Sequence, residues 1–278
     1  MHRSGTSLIT EWLYKCGLHV GDELLGAGTG NDGGHFEDLD FLNSHKALLK
    51  GRRLSDNGFT ADVVKQLSCE EKDKLRDIIA YKNDFHRQWG WKDPRTCLFL
   101  DAYQELIPDA NYFIVLRDYP SVISSLIYRM FKQSETKYSN KKGIAAFMWK
   151  HFTRKKRMEV LRKKYSPRFL KLWIAYNQAI LQHIKKLPAH QYIVADYTSL
   201  LEHEKLVFDQ LVKRMGFSLK LFDFSKIYQP SRLNKAFDVG RYIKDKSLIN
   251  KAIAIEDALR QKAILNSPAD SLAVIPHF

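Results

Sequence analysis

The chain opens on a short polar run whose residue types suit the binding of an anion. The run consists of Arg3, Ser4, Gly5, Thr6 and Ser7. Apolar residues then recur at helical spacing over residues 8–16, and Gly17 stands where a helix commonly ends. The first backbone N–H groups of a helix have no partners within it, and the helix dipole adds partial positive charge there. The sequence therefore predicts an anion-binding turn, with a simple helix cap as the alternative.

The opening run does not match a Walker A loop. That pattern, G-x-x-x-x-G-K-[ST], requires a lysine directly before its hydroxyl residue, and no lysine precedes Thr6 or Ser7. Without this lysine the run is poorly suited to a nucleoside triphosphate that carries magnesium. An arginine at its front suits a phosphosulfate group better.

A second group of anion-binding candidates follows a predicted strand. The apolar run over residues 112–116 is typical of a buried parallel strand, and a helical pattern begins soon after it. Arg117 stands at the end of this strand, and Ser125 and Arg129 lie on the helix that follows. Open α/β sheets bind ligands at the carboxyl ends of their strands, so we expect these side chains to face a ligand. Arginine also binds phosphate through two parallel hydrogen bonds.

Two further stretches carry charged residues that suit group transfer. Pro94 disfavours the helical conformation at Asp93, which predicts an extended segment for Lys92 and Asp93. Glu37 follows the glycine-rich residues 17–36, which are predicted to form a loop over the site. A carboxylate can remove a proton from an acceptor, and a lysine can stabilise developing negative charge. A solvated loop acid and a surface ion pair are the alternatives for Glu37 and Lys92.

The positive charge of the chain is concentrated in one segment. The 278 residues carry a formal net charge of +14, and residues 129–171 contain fifteen Lys/Arg but only two acids. Such a segment is typical of a face that binds nucleic acid, anionic lipid or a charged substrate, and also of a solvated basic surface. No apolar run approaches the roughly 20 residues of a membrane span. Three widely spaced cysteines provide neither a disulfide framework nor metal-ligand spacing, which favours a reducing, cytoplasmic location.

The elements that must position these residues alternate between strands and helices. A second strand is predicted over residues 192–195, a capping box at Ser68 and Glu71 predicts a helix start, and Ser166 with Pro167 predicts another. We expect a single α/β domain over residues 1–278, with a P-loop-like central parallel sheet flanked by helices. A phosphate-binding turn normally follows a strand of about five residues. Only two residues precede Arg3, so we expect the first strand to be missing from the chain.

Taken in order, these motifs resemble those of sulfotransferases that use 3′-phosphoadenosine 5′-phosphosulfate (PAPS). The opening run resembles the family's 5′-phosphosulfate loop, and residues 117–125 resemble its 3′-phosphate motif, an arginine with a serine eight residues later. Residues 92–94 and 34–38 are similar to segments of the tyrosylprotein branch and of bacterial members. Tyr197 matches only part of the family's Tyr-Glu-x-Leu segment, and residues 235–244 resemble a remnant of the lid over the adenine.

The resemblance implies that the chain transfers a sulfuryl group from PAPS to an acceptor hydroxyl or amine without a metal. It implies that the residues of the opening run hold the 5′-phosphosulfate and that Arg117 and Ser125 hold the 3′-phosphate. It also implies that Arg129 is an additional phosphate-binding arginine and that Tyr197 is a further residue that binds PAPS. Glu37 would be the base, and Lys92 and Arg3 would act at the sulfuryl group.

Other functions remain open. A P-loop nucleotide kinase is one alternative, although the Walker lysine is absent. A non-catalytic protein that binds a polyanion or nucleic acid through residues 129–171 is another, with nucleic acid the less expected partner. For the sulfotransferase the acceptor is a glycan, a lipid, a peptide or a small molecule, and an anionic acceptor would suit the basic segment.

Overall fold

The computed structural model describes residues 1–28, 34–139, 143 and 147–263, and within them the fold is mixed α/β and mostly helical. The α-helices of this part of the chain are α1 (Thr6–Lys15), α2 (Leu39–Gly51), α3 (Cys69–Phe85), α4 (Leu100–Leu106), α5 (Tyr119–Ser139), α6 (Arg154–Ile184), α7 (Tyr197–Asp209) and α8 (Lys246–Arg260). None of the helices described here has both the length and the apolar composition that crossing a membrane requires.

Two parallel strands, β1 (Tyr112–Val115) and β2 (Tyr192–Ala195), form the sheet of the described residues. Both strands were predicted at these positions, and the register pairs Tyr112 with Tyr192 and Val115 with Ala195. Because side chains alternate across a strand, Ile114 and Val194 pack into the larger apolar core, to which α5 and α6 also contribute. On the other face, residues of both strands pack with α1 and α7. Helices therefore cover the sheet on both sides.

Local sequence signals fix several helix ends as expected. The capping box is confirmed, because the Ser68 hydroxyl accepts from the Glu71 N–H at 3.2 Å and a Glu71 carboxylate oxygen accepts from the Ser68 N–H at 2.9 Å. Gly17 has a φ of 103° directly after the last turn of α1, as predicted for a residue that ends a helix. These local contacts fix the end of α1 and the start of α3.

The predicted helix start at Ser166 and Pro167 was wrong. Helix α6 begins at Arg154 and continues through Pro167 without a break. A proline removes one backbone hydrogen bond from a helix interior, which costs about 3 kcal/mol. Buried side chains on both sides of the proline, including Leu161 and Phe169, pack into the larger core and offset this cost. Tertiary packing therefore overrides the local signal.

Candidate functional site

The opening run forms a tight turn with two residues in the left-handed region. Arg3 has a φ of 67°, and Gly5, the residue that caps α1, has a φ of 91°. A Cβ at Gly5 would meet no atom within 4 Å, so backbone conformation rather than space requires the glycine there. No side chain caps the first turn of α1. The start of this helix is thus shaped as the sequence predicted, with Thr6 and Ser7 in its first turn.

A pocket of about 360 Å³ opens in front of this turn. Its wall comes from the opening run, parts of residues 34–37, Lys92 and Pro94, Arg117, residues of α5 and a loop within residues 227–234. The wall carries five Lys/Arg side chains and two acids, which gives a net charge of +3. Pockets of this size bind small ligands, and the sign of the charge favours an anionic one.

Three arginines share the pocket wall, and a hydrogen bond joins two of them. Arg3 Nε donates to Ser125 Oγ at 2.9 Å, and Arg117 Nη1 donates to the backbone carbonyl of Arg3 at 2.8 Å. Burial, together with the charges of Arg129 and Arg117, lowers the pKa of Arg3 to about 10. An anion bound among these guanidinium groups would reduce their mutual repulsion.

Lys92 and Glu37 form the other charged part of the site. Lys92 Nζ donates to Glu37 Oε1 at 3.0 Å, to Ser7 Oγ at 3.3 Å and to the carbonyl of His35. Glu37 is only 5% exposed. Burial lowers the pKa of Lys92, an effect that the charge of Glu37 partly offsets. Lys92 therefore joins the opening run to the segment that carries Glu37.

A buried network lies behind Lys92. His45 contacts Asp93 Oδ2 at 2.8 Å through Nδ1 and the hydroxyl of Tyr103 at 2.7 Å through Nε2. The other oxygen of Asp93 accepts from the N–H and from Nη1 of Arg95, at 3.0 and 2.8 Å. Burial alone would raise the pKa of Asp93, but His45 and Arg95 hold it well below its usual range. This network fixes the extended backbone from which Lys92 projects.

The structure brings most of the predicted site residues to one pocket. The residues in its wall are Arg3, Gly5, Thr6, Ser7, Glu37, Lys92, Arg117 and Arg129. Ser125 is buried behind Arg3, and Ser4 is buried outside the wall. The side chain of Tyr197 lies outside the described residues.

Sequence reasoning missed two contributors to this site. A loop within residues 227–234 lines the pocket, whereas residues 235–244, predicted as the lid remnant, do not. The supporting residues His45, Arg95 and Tyr103 were also missed. Pro230 marks a turn in the loop, but neither group has a periodic pattern that would have revealed it.

Comparison of the chain with models of protein families, with curated proteins and with solved structures found no match. No activity can therefore be transferred to this chain from a relative. The function has to be inferred from the chemistry of the pocket and from the order of the motifs that line it.

Proposed function

We propose that this chain transfers a sulfuryl group from PAPS to an acceptor hydroxyl or amine. The observation that carries the proposal is the meeting of two anion-binding elements that lie far apart in the sequence. Arg3 of the opening run contacts both Ser125 and Arg117, at 2.9 and 2.8 Å. A 3′,5′-bisphosphorylated adenosine carries both of its anionic groups on one ribose, so the side chains that hold them must be neighbours.

The proposal includes a P-loop-like sheet. β1 and β2 are parallel, and each is followed within a few residues by a helix. Helices pack on both faces of the pair, which is typical of open α/β sheets. Arg117 lies two residues beyond β1, at the end where such sheets bind ligands. We take β1 and β2 as adjacent strands of this sheet.

The charged groups of the pocket suit an in-line displacement. Glu37 accepts the proton of the acceptor hydroxyl, and the acceptor oxygen forms its bond to sulfur. The bond between sulfur and the 5′-phosphate oxygen breaks at the same centre, and its electron pair leaves with the phosphate. Lys92 and Arg3 stabilise the negative charge that develops, and 3′,5′-adenosine bisphosphate is released. Every group in this scheme except the two substrates belongs to the pocket wall.

Calorimetry with three nucleotides tests the proposal. The protein is titrated with 3′,5′-adenosine bisphosphate, with 5′-AMP and with ATP plus magnesium. Hydrogen bonds to charged groups contribute about 1.5–3 kcal/mol, so we expect the bisphosphate to bind roughly ten- to a hundredfold more tightly than 5′-AMP. Equal affinities for these two would contradict the proposal, and tighter binding of ATP with magnesium would favour the nucleotide kinase. Transfer of radiolabelled sulfate from PAPS to candidate acceptors then identifies the reaction.

A polyanion-binding function is the second candidate, because Arg129 and Lys132 belong both to the basic segment and to the pocket wall. A polyanion binder would lose affinity steeply with added salt and would be indifferent to Arg117→Ala. The proposed enzyme would instead lose affinity for the bisphosphate in that variant. The same two side chains would attract an anionic acceptor to the mouth of the pocket.

A further inference from the structure

Helices α5 and α6, with the residues just before α6, carry an exposed surface that is both basic and apolar. This surface is defined here by residues 128–138, 147–149 and 152–168. Side chains of Phe147, Met148, Phe152 and Val160 are 56%, 44%, 61% and 49% exposed. Exposed cations follow on α6, where Val160 lies among them: Lys155, Lys156, Arg157, Lys163, Lys164 and Arg168. From this combination we propose that the α5–α6 surface docks on an anionic membrane.

Internal contacts hold the two helices together and leave these side chains outside. Trp149 stacks on Tyr138 with ring centroids 4.4 Å apart, and Arg154 lies over the ring of Phe131 at 5.2 Å. Arg154 also donates to Glu135 at 2.5 Å. These contacts use the inward-facing aromatic residues, so the exposed Phe147 and Phe152 are not needed to join the helices.

The surface carries few acids to set against its cations. Its two acids, Glu135 and Glu159, both have partners within the chain, because Glu135 accepts from Arg154 and Glu159 accepts from the hydroxyl of Tyr242 at 2.9 Å. A second copy that docked through the same surface would bring positive charge against positive charge and be repelled. The excess of exposed cations therefore favours an anionic partner.

The exposed apolar side chains distinguish a membrane from other anionic partners. The membrane–water interface presents anionic headgroups directly above hydrocarbon, so lysine and arginine can bind the headgroups while phenylalanine and methionine insert below them. A nucleic-acid duplex presents phosphates but keeps its apolar base faces stacked inside. Alkyl side chains such as Met148 and Val160 gain little from such a partner.

The surface continues to the pocket. Tyr128, which is 40% exposed, lines the pocket together with Arg129 and Lys132 on the same helix. Docking through α5 and α6 would thus hold the mouth of the pocket close to the lipid headgroups. The variants that test the membrane contact alter no residue of the proposed chemistry, so the contact can be tested separately from the proposed function.

Vesicle flotation tests the proposal. The full chain is mixed with vesicles of phosphatidylcholine alone and of phosphatidylcholine with phosphatidylglycerol. We expect at least tenfold tighter binding to the anionic vesicles, because each lysine or arginine near an anionic surface strengthens binding about fivefold. Equal binding to both vesicles, or binding to neither, would overturn the proposal. Arg117→Ala should bind vesicles like the unchanged chain, which separates this test from that of the pocket.

Two variants and a matched control locate the contact. The triple variant Lys155→Ala, Lys156→Ala, Arg157→Ala should lose roughly a hundredfold in affinity for anionic vesicles. The control removes the same charge from exposed lysines on other segments, Lys205→Ala, Lys213→Ala, Lys220→Ala, and should lose much less. Equal losses in both would overturn the proposal, since they would indicate a response to net charge alone.

The double variant Phe147→Ser, Phe152→Ser should weaken vesicle binding about tenfold while leaving its salt dependence unchanged. Both residues are exposed, and an unchanged far-ultraviolet circular dichroism spectrum confirms that the variant is folded. If the double variant binds vesicles normally, and nucleic acid displaces the unchanged chain from them, the surface is a nucleic-acid site instead.

Discussion

Lys92 and Asp93 are adjacent in the chain, yet they belong to two regions with opposite electrostatics. Lys92 projects into a pocket whose wall has a net charge of +3 and in which burial and two neighbouring arginines lower the pKa of Arg3. Asp93 projects into a buried network where both of its oxygens accept hydrogen bonds and its pKa is held low. Balanced charges stabilise the fold, whereas gathered like charges are stabilised only when a counter-ion binds. The side chains around Lys92 are therefore suited to binding a ligand, whereas those around Asp93 hold the backbone of the site in place.

The largest effect is expected at Glu37, the proposed catalytic base. Glu37→Gln should reduce kcat by roughly a hundred- to ten-thousandfold, because an amide cannot accept the proton of the acceptor. Affinity for 3′,5′-adenosine bisphosphate should stay within about twofold, because the phosphate-binding arginines are unchanged. A turnover assay measures the loss in kcat, and calorimetry measures the affinity for the bisphosphate. Glu11→Gln, which alters the other acid of the wall, is the matched control. Undiminished turnover in Glu37→Gln would exclude it as the base.

The next largest effect is expected on the stability of the buried network around Asp93. Asp93→Asn should lower the free energy of unfolding by roughly 3–5 kcal/mol, because it leaves the buried Arg95 and His45 without their carboxylate. Urea denaturation measures this loss. Asp101→Asn, which removes a half-exposed ion pair with Lys186, should cost at most about 1 kcal/mol. If the two variants were equally stable, the network would not be what holds the Lys92 segment.

The same variant should change how stability depends on pH. The folded-state pKa of Asp93 lies below the usual value of about 3.9, so its stabilising contribution is complete at neutral pH. That contribution is lost as the pH falls below the usual value towards the folded-state pKa. Unfolding free energies measured from neutral pH into this acid range should therefore converge for the unchanged chain and for Asp93→Asn. Curves that stay parallel would assign the acid sensitivity to other carboxylates.

Arg117→Ala tests whether the pocket, unlike the buried network, contributes more to ligand binding than to stability. It should weaken binding of 3′,5′-adenosine bisphosphate by roughly ten- to a hundredfold, while the free energy of unfolding changes by about 1 kcal/mol or less. Loss of its hydrogen bond to the Arg3 carbonyl is offset because Arg3 also loses a repelling neighbour. The same calorimetry and denaturation measurements on Arg76→Ala, which removes an exposed arginine of α3, provide the control. A folded variant with full affinity would remove Arg117 from the site.

The smallest effect is expected for Ser125→Ala, which removes one hydrogen bond to Arg3. A single bond of this kind contributes about 0.5–1.5 kcal/mol, so affinity for the bisphosphate should fall by roughly two- to tenfold. Ser124→Ala is a close control, because its hydroxyl is also buried but accepts from the N–H of Phe237 instead. Identical affinities in the two variants would mean that the position of Arg3 does not depend on Ser125.

The sequence predicted those parts of the site that follow from local patterns. The opening run before α1 and Arg117 after β1 could be found because a strand or helix end determines where such residues lie. The network behind Lys92 could not be found in this way. His45 and Asp93 are 48 residues apart, and no periodicity links them. Their contact arises only when α2 packs beside the 92–95 segment, which is a property of the tertiary structure.

The fold was predictable to a similar degree. Both strands and the capping box of α3 were correct because short apolar runs and capping residues act locally. Pro167 misled the prediction because packing around α6 outweighs the cost of one lost hydrogen bond. The single domain over residues 1–278 stays a prediction, and so does the P-loop-like sheet.

The contacts of Lys92 would set the order in which the two substrates of the proposed reaction bind. The ammonium group of Lys92 already touches the oxygens of Ser7, His35 and Glu37. In the proposed reaction, a sulfuryl donor that recruited this ammonium would compete with the carboxylate for it and so leave Glu37 available to the second substrate. The acceptor would then meet a competent base only after the donor is in place, and futile hydrolysis or dead-end binding of the acceptor would be limited by one shared lysine.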